Sequence, residues 1–132
     1  MPQILLTEDN FINESVLEIK FSESISTKFK AYRVGLCYIN AVFKSGGVDK
    51  IIITSHSVTS IQHIDQWSVI GTCFNTNKNN QHFIHEVKNP QIYGNLTSRN
   101  KFDVRLFRED FQPIRREDLQ HLGICITLLG VK

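Results

Sequence analysis

Five histidines, three cysteines and one Ser-His-Ser triplet are the residues of this chain whose types could support chemistry. His82 and His85 stand three apart, a spacing that on a strand throws them to opposite faces, so they cannot chelate one ion unless the backbone bulges. His56 and His63 flank a polar segment, and His121 stands beyond Pro113. No cysteine or carboxylate falls at metal-ligand spacing beside any of them, so neither a metal nor another cofactor is expected. Ser55-His56-Ser57 lacks the glycine flanks that expose a nucleophile on a strained turn, and residues adjacent in sequence rarely face each other. Gly46-Gly47 reads as a turn, because no Lys-Ser/Thr follows it to cradle a phosphate. The acidic residues form no pair at diagnostic spacing. The expectation is therefore a protein that is not an enzyme, with no catalytic residues.

Cys37, Cys73 and Cys125 are odd in number, and each sits alone inside an apolar run. They read as inert buried thiols of a chain that folds in a reducing, intracellular compartment, cytoplasmic or nuclear. The N-terminal stretch has no basic region and an apolar run of only three residues, Ile4, Leu5 and Leu6, too short for a signal peptide or a membrane span. The sequons at Asn13 and Asn95 mean little without a secretory signal.

A chain of 132 residues fits one domain, 1–132, and can bury well over half the surface of its unfolded form. Hydrophobic residues at 41% and charged residues at 21% are those of an ordinary globular protein. The formal charge of +2 is too small to suggest a nucleic-acid partner, and only Phe107 and Phe111 lie among the arginines as stacking aromatics. Nine phenylalanines suit a sheet-rich core.

Residues 101–107 place Phe102, Val104 and Leu106 on one face, with Asp103 and Arg105 on the other. Residues 123–131 are apolar at nearly every position, as in a central strand covered on both faces, and are expected to pair with 101–107 as a closing hairpin. Further strands are read at 15–21, 31–43, 48–55, 67–74 and 82–87. In 31–43 the even positions Tyr32, Val34, Leu36 and Tyr38 share a face, with a bulge expected near Gly35. Residues 75–81 are a loop by composition, Asn89-Pro90 breaks a strand, and Tyr93-Gly94-Asn95 reads as a turn. Residues 115–122 make at most a short helix or turn. About seven or eight strands at this spacing predict an all-β, antiparallel, single-domain sandwich of jelly-roll type.

The last third, with its strand 102–106, the acidic turn Glu109-Asp110, Pro113-Ile114 and the Ile/Leu-rich run 124–129, resembles the closing hairpin of jelly-roll capsid proteins of the Polinton, adintovirus and adenovirus-like lineage. The likeness covers about a quarter of the chain. It departs from the family at Phe111-Gln112, where a glycine would follow the acidic residue, and in length, which suits one jelly roll and not two. The resemblance implies a virion or transposon-derived protein that self-assembles.

Charge is unevenly placed. Residues 1–25 hold Glu8, Asp9, Glu14, Glu18 and Glu23 against Lys20, whereas residues 99–116 hold six basic side chains against Asp103, Glu109 and Asp110. These regions either meet inside one subunit or join one subunit to the next. Arg115 and Arg116, with the apolar Phe11, Ile12 and Phe111 in polar surroundings, are the interface candidates for a homo-oligomer or protein partner. The leading expectation is thus a non-enzymatic, self-associating structural protein. One alternative is a sugar- or peptide-binding module built on loops 55–66 and 75–81 with Trp67 as a stacking platform. A second is a small hydrolase, because fold does not fix function.

Overall fold

The structure, a computed structural model, describes residues 3–21, 31–77, 81–87, 92–97 and 100–131. Among these, the chain forms eleven strands: β1 (Gln3–Thr7), β2 (Val16–Lys20), β3 (Ala31–Phe43), β4 (Lys50–Ser55), β5 (Val58–Thr59), β6 (His63–Ile64), β7 (Trp67–Phe74), β8 (His82–Glu86), β9 (Ile92–Leu96), β10 (Lys101–Arg108) and β11 (Leu119–Val131). One sheet runs β1-β11-β3-β9-β5, with β8 also on β3; the other runs β2-β10-β4-β7-β6. Every pairing is antiparallel. The molecule is an all-β sandwich, as its period-2 segments predict. The pairs are nested: β1 with β11, β2 with β10, β3 with β8 and β9, and β4 with β7.

The strand count exceeds the expected seven or eight because β5 and β6 span two residues each, too few for a period to register. In β1, Ile4 and Leu6 point inward, and the five residues were legible only as a short apolar run. Residues 116–118 form a single 3-10 turn that leads into β11.

The closing hairpin is not formed. β10 pairs with β2 and β4 in one sheet, and β11 pairs with β1 and β3 in the other. Phe102, Val104 and Leu106 therefore face Ile124, Ile126 and Leu128 across the sandwich, all fully buried in one cluster. Alternation in each strand reports an apolar face. It cannot report whether that face lies beside its partner or opposite it.

The long strand β3 holds a second correction. Tyr32, Val34 and Leu36 point into the core, but so do Ile39, Ala41 and Phe43, while Tyr38 is exposed. The ladder to β11 shifts register between Cys125 and Ile126, which face Tyr38 and Leu36 respectively, so Cys37 is the extra residue of a bulge. One added residue, two beyond Gly35, reverses the inward parity, and the ladder to β9 shifts register between Val34 and Gly35, so β3 is irregular where the glycine suggested. Residues 93–95 are not a turn but part of β9. Gly94 is required there because a Cβ would collide with the Thr59 carbonyl oxygen and lie 2.6 Å from Val58 Cγ1. The expected break at Asn89-Pro90 falls outside the described residues.

Most apolar burial lies between the sheets, where Leu6, Leu17, Ile39, Phe43, Ile51, Ile53, Ile70, Phe83, Phe102 and Ile114 are at most 1% exposed. A smaller cluster of Ile52, Val69 and Phe107, with Ile64 against it, lies apart from that core. Ile52 alternates with the core-facing Ile51 and Ile53, which puts this cluster on the outer face of the β2-β10-β4-β7-β6 sheet. Among the described residues no helix is long and apolar enough to cross a membrane.

Candidate functional site

Two features meet on that outer face: a capped carboxylate beside a stack of rings, and an open groove. The chain leaves one sheet at the end of β4 and enters the other at β5, and residues 55–57 make the crossing. Asp103, at an outward position of β10, lies beneath it and is 9% exposed. Its Oδ1 accepts from Ser55 Oγ at 2.9 Å, the His56 N–H at 2.9 Å, the Ser57 N–H at 3.1 Å and Ser57 Oγ at 3.0 Å. The Ser57 N–H also reaches Ser55 Oγ at 2.9 Å, and the Asp103 N–H donates to Ser57 Oγ at 3.2 Å. The crossing thus brings its buried polar groups to one carboxylate, which serves as their common acceptor.

The tertiary fold thereby adds an aspartate to the Ser-His-Ser triplet. His56 Nδ1 lies 3.5 Å from Asp103 Oδ2. Both serine hydroxyls, however, donate to the carboxylate rather than to the imidazole, and Ser55 and Ser57 are 0% and 4% exposed. A nucleophilic serine needs its proton directed to the histidine and its oxygen open to substrate. The geometry here is that of a brace for the crossing.

The His56 ring stacks on Trp67, 3.5 Å between centroids and 19° between planes. The Arg105 guanidinium lies 5.7 Å from the Trp67 centroid and 5.2 Å from that of Phe107, a cation–π arrangement, and its Nε is buried without a hydrogen-bond partner. Trp67 is 7% exposed, so its ring is covered rather than presented as a platform.

Beside this stack lies a groove of about 480 Å³, lined by Lys50, Ile52, Gln62, His63, Ile64, Val69, Thr72 and Phe111. Ile52, Ile64 and Val69 give it apolar surface, while Lys50, Gln62, His63 and Thr72 supply polar groups. Phe111 is 59% exposed and held at φ +63°, an uncommon conformation for a bulky residue. Phe74, opposite Lys50 in the β4–β7 ladder, is also 59% exposed, and Lys50 Nζ sits 5.8 Å from its ring centroid. Ile61, next to Gln62, is 98% exposed.

The other candidates fall elsewhere. Phe11 bridges to Leu17 and packs against the core, whereas Ile12 is 58% exposed. Arg116 lies beside this segment, its N–H donating to the Glu14 carbonyl at 2.8 Å and its Nη2 standing 3.8 Å from Asp9. Arg115 Nη1 lies 3.4 Å from Glu117. Lys101 is 3.7 Å from Glu18, and His121 Nδ1 is 3.7 Å from Glu8. The acidic and basic regions therefore touch within one chain at two places, Arg116 with Asp9 and Lys101 with Glu18. Glu8 also accepts from the Leu122 N–H at 3.0 Å, and backbone hydrogen bonds hold its carboxyl below the usual range.

His82 and His85 sit opposite Val42 and Ile39 in the β3–β8 ladder, on opposite faces of the sheet. Among the described residues no group of three metal-ligating side chains converges. The sequence reading missed the groove and the capped carboxylate. The run of Ile51, Ile52 and Ile53 was the available signal for the first, because a strand apolar at three successive positions is apolar on both faces. No protein-family model, curated protein or solved structure matches this chain.

Proposed function

We propose that this chain is a non-enzymatic β-sandwich that works by protein association, a homo-oligomer of single jelly-roll, capsid-like type. The observation that carries association is the apolar surface around the groove, where Ile61, Phe74 and Phe111 stand 98%, 59% and 59% exposed. Large exposed apolar groups gathered on one face mark interaction sites more often than scattered ones do. The jelly-roll reading rests on the nested pairing, in which β1, β2, β3 and β4 meet in reverse order β11, β10, β9 with β8, and β7. In such a roll the last two strands fall in opposite sheets, as β10 and β11 do.

Sedimentation velocity across a salt series tests association. The expected result is an oligomer that persists at high salt and is weakened by Phe111→Asp, because exposed ion pairs are worth only about 0–1 kcal/mol each and are screened within about 10 Å at 0.1 M salt. An oligomer that dissociates as salt rises and is weakened by Arg115→Glu with Arg116→Glu would assign the contact to the charged patch instead. A monomer at every salt concentration up to about 1 mM protein leaves less than about 4 kcal/mol of association free energy and overturns the proposal.

A second reading, a sugar- or peptide-binding module, is favoured by the groove itself, whose volume falls in the range of small-ligand sites of about 300–1,000 Å³. It uses loop 55–66 through Gln62 and His63. Binding of a glycan or peptide by the monomer, lost in Phe111→Asp, would select it.

A further inference from the structure

The three cysteines do not all sit alone. The bulge of β3 places Cys37 beside Tyr38, the residue that faces Cys125 in the ladder to β11. In a bulge two residues of one strand oppose a single residue of the other, so Cys37 and Tyr38 share Cys125 as their opposite number. The register of the bulge thus sets the two cysteines next to each other on neighbouring strands. Cys37 is half-buried and accepts from Gln3 Nε2 at 3.9 Å, while Cys125 is 2% exposed. Cys73, the third, is fully buried in the core between the sheets.

We propose that Cys37 and Cys125 form a dithiol modification site that a low-molecular-weight disulfide converts to an intramolecular cross-strand disulfide between β3 and β11. Exposure sets the order of events. The Cys37 thiolate attacks one sulfur of the reagent, forming a mixed disulfide and expelling one thiolate. Cys125 gives its proton to solvent, and its thiolate attacks Cys37 Sγ, forming the Cys37–Cys125 bond and expelling the second thiolate. Two protein thiols are oxidised by two electrons in all, and the reagent is reduced to two thiols. Burial and the neighbouring Cys37 push the Cys125 thiol up to about 11, which disfavours it as the first attacker, whereas in the second step the mixed disulfide is held beside it. Burial pushes Cys73 up to about 12, so it serves as an internal control.

The test treats the folded protein with glutathione disulfide, then maps thiols and disulfides by mass spectrometry after denaturation and alkylation. The expected product has a peptide joining residues 37 and 125, Cys73 free, no retained glutathione and no covalent dimer. The thermal midpoint should rise and return after dithiothreitol. Cys125→Ser should trap glutathione on Cys37, and Cys37→Ser should slow modification of Cys125 by at least about tenfold relative to Cys37 in Cys125→Ser. Three free thiols after treatment, glutathione left on Cys37 with Cys125 free, or a bond only between copies would each overturn the proposal. Mapping of the unsubstituted chain decides the matter even where a variant fails to fold.

Discussion

Replacing Asp103 by alanine tests whether the capped carboxylate braces the sandwich. Four donors converge on Oδ1, two of them backbone N–H groups. The Ser57 N–H keeps Ser55 Oγ as a second acceptor, and the freed hydroxyls can rotate toward one another, so the loss is smaller than four bonds. The His56 N–H has no comparable substitute. Hydrogen bonds to a charged group contribute about 1.5–3 kcal/mol each, and a buried donor left unpaired costs about 1–3 kcal/mol. The His56 bond fully lost with its donor left unpaired, and the other three partly replaced, give about 3–5 kcal/mol. Asp103→Asn keeps an acceptor oxygen at the same place while removing the charge, and should cost about 1–2 kcal/mol. Urea unfolding followed by tryptophan fluorescence is a suitable assay, since Trp67 stacks on His56 at the crossing itself. An alanine variant within about 0.5 kcal/mol of the parent would refute the reasoning, because a buried acceptor of four bonds cannot be so cheaply removed. A cost for asparagine as large as that for alanine would assign the effect to charge rather than to the acceptor.

Other consequences are open to measurement. Phe102→Ala and Ile126→Ala, one in each sheet and both 0% exposed, should each destabilise by about 2–5 kcal/mol, read as a lower denaturation midpoint. Gly94→Ala should cost about 1–3 kcal/mol by forcing β9 away from Thr59 and Val58, and hydrogen exchange should report opening of the β5–β9 pair. Glu8 has a folded-state pKa below its unfolded value, so its contribution is present above the ordinary 4.5 and is lost as pH falls through the lowered value. Unfolding midpoints should therefore drop on acidification, and Glu8→Gln should make that drop shallower.

Fold class was written in the sequence because strand alternation is a local property. Phe102, Val104 and Leu106 are spaced by two, and water enforces that spacing wherever one face of a strand is buried. Local signals failed where a pattern was too short, as in β5 and β6, or where one residue changed its phase. Cys37 is an unremarkable member of an apolar run until the ladder to β11 counts it as surplus, and that count requires the partner strand. Gly94 looked like a turn, yet it answers to the backbone of β5, a neighbour remote in sequence.

The candidate sites depend on tertiary structure more heavily still. Ser55, His56 and Ser57 are adjacent in sequence, but the carboxylate that organises them comes from β10, nearly fifty residues away. The groove needs β4, β6, β7 and the segment holding Phe111 to meet on one face. The sequence by itself determined which residues must leave water, and hence two sheets with an apolar interior. Which strands lie side by side and which lie face to face was decided only in three dimensions, because either arrangement buries the same apolar faces and only the backbone hydrogen bonds of the folded sheets distinguish them.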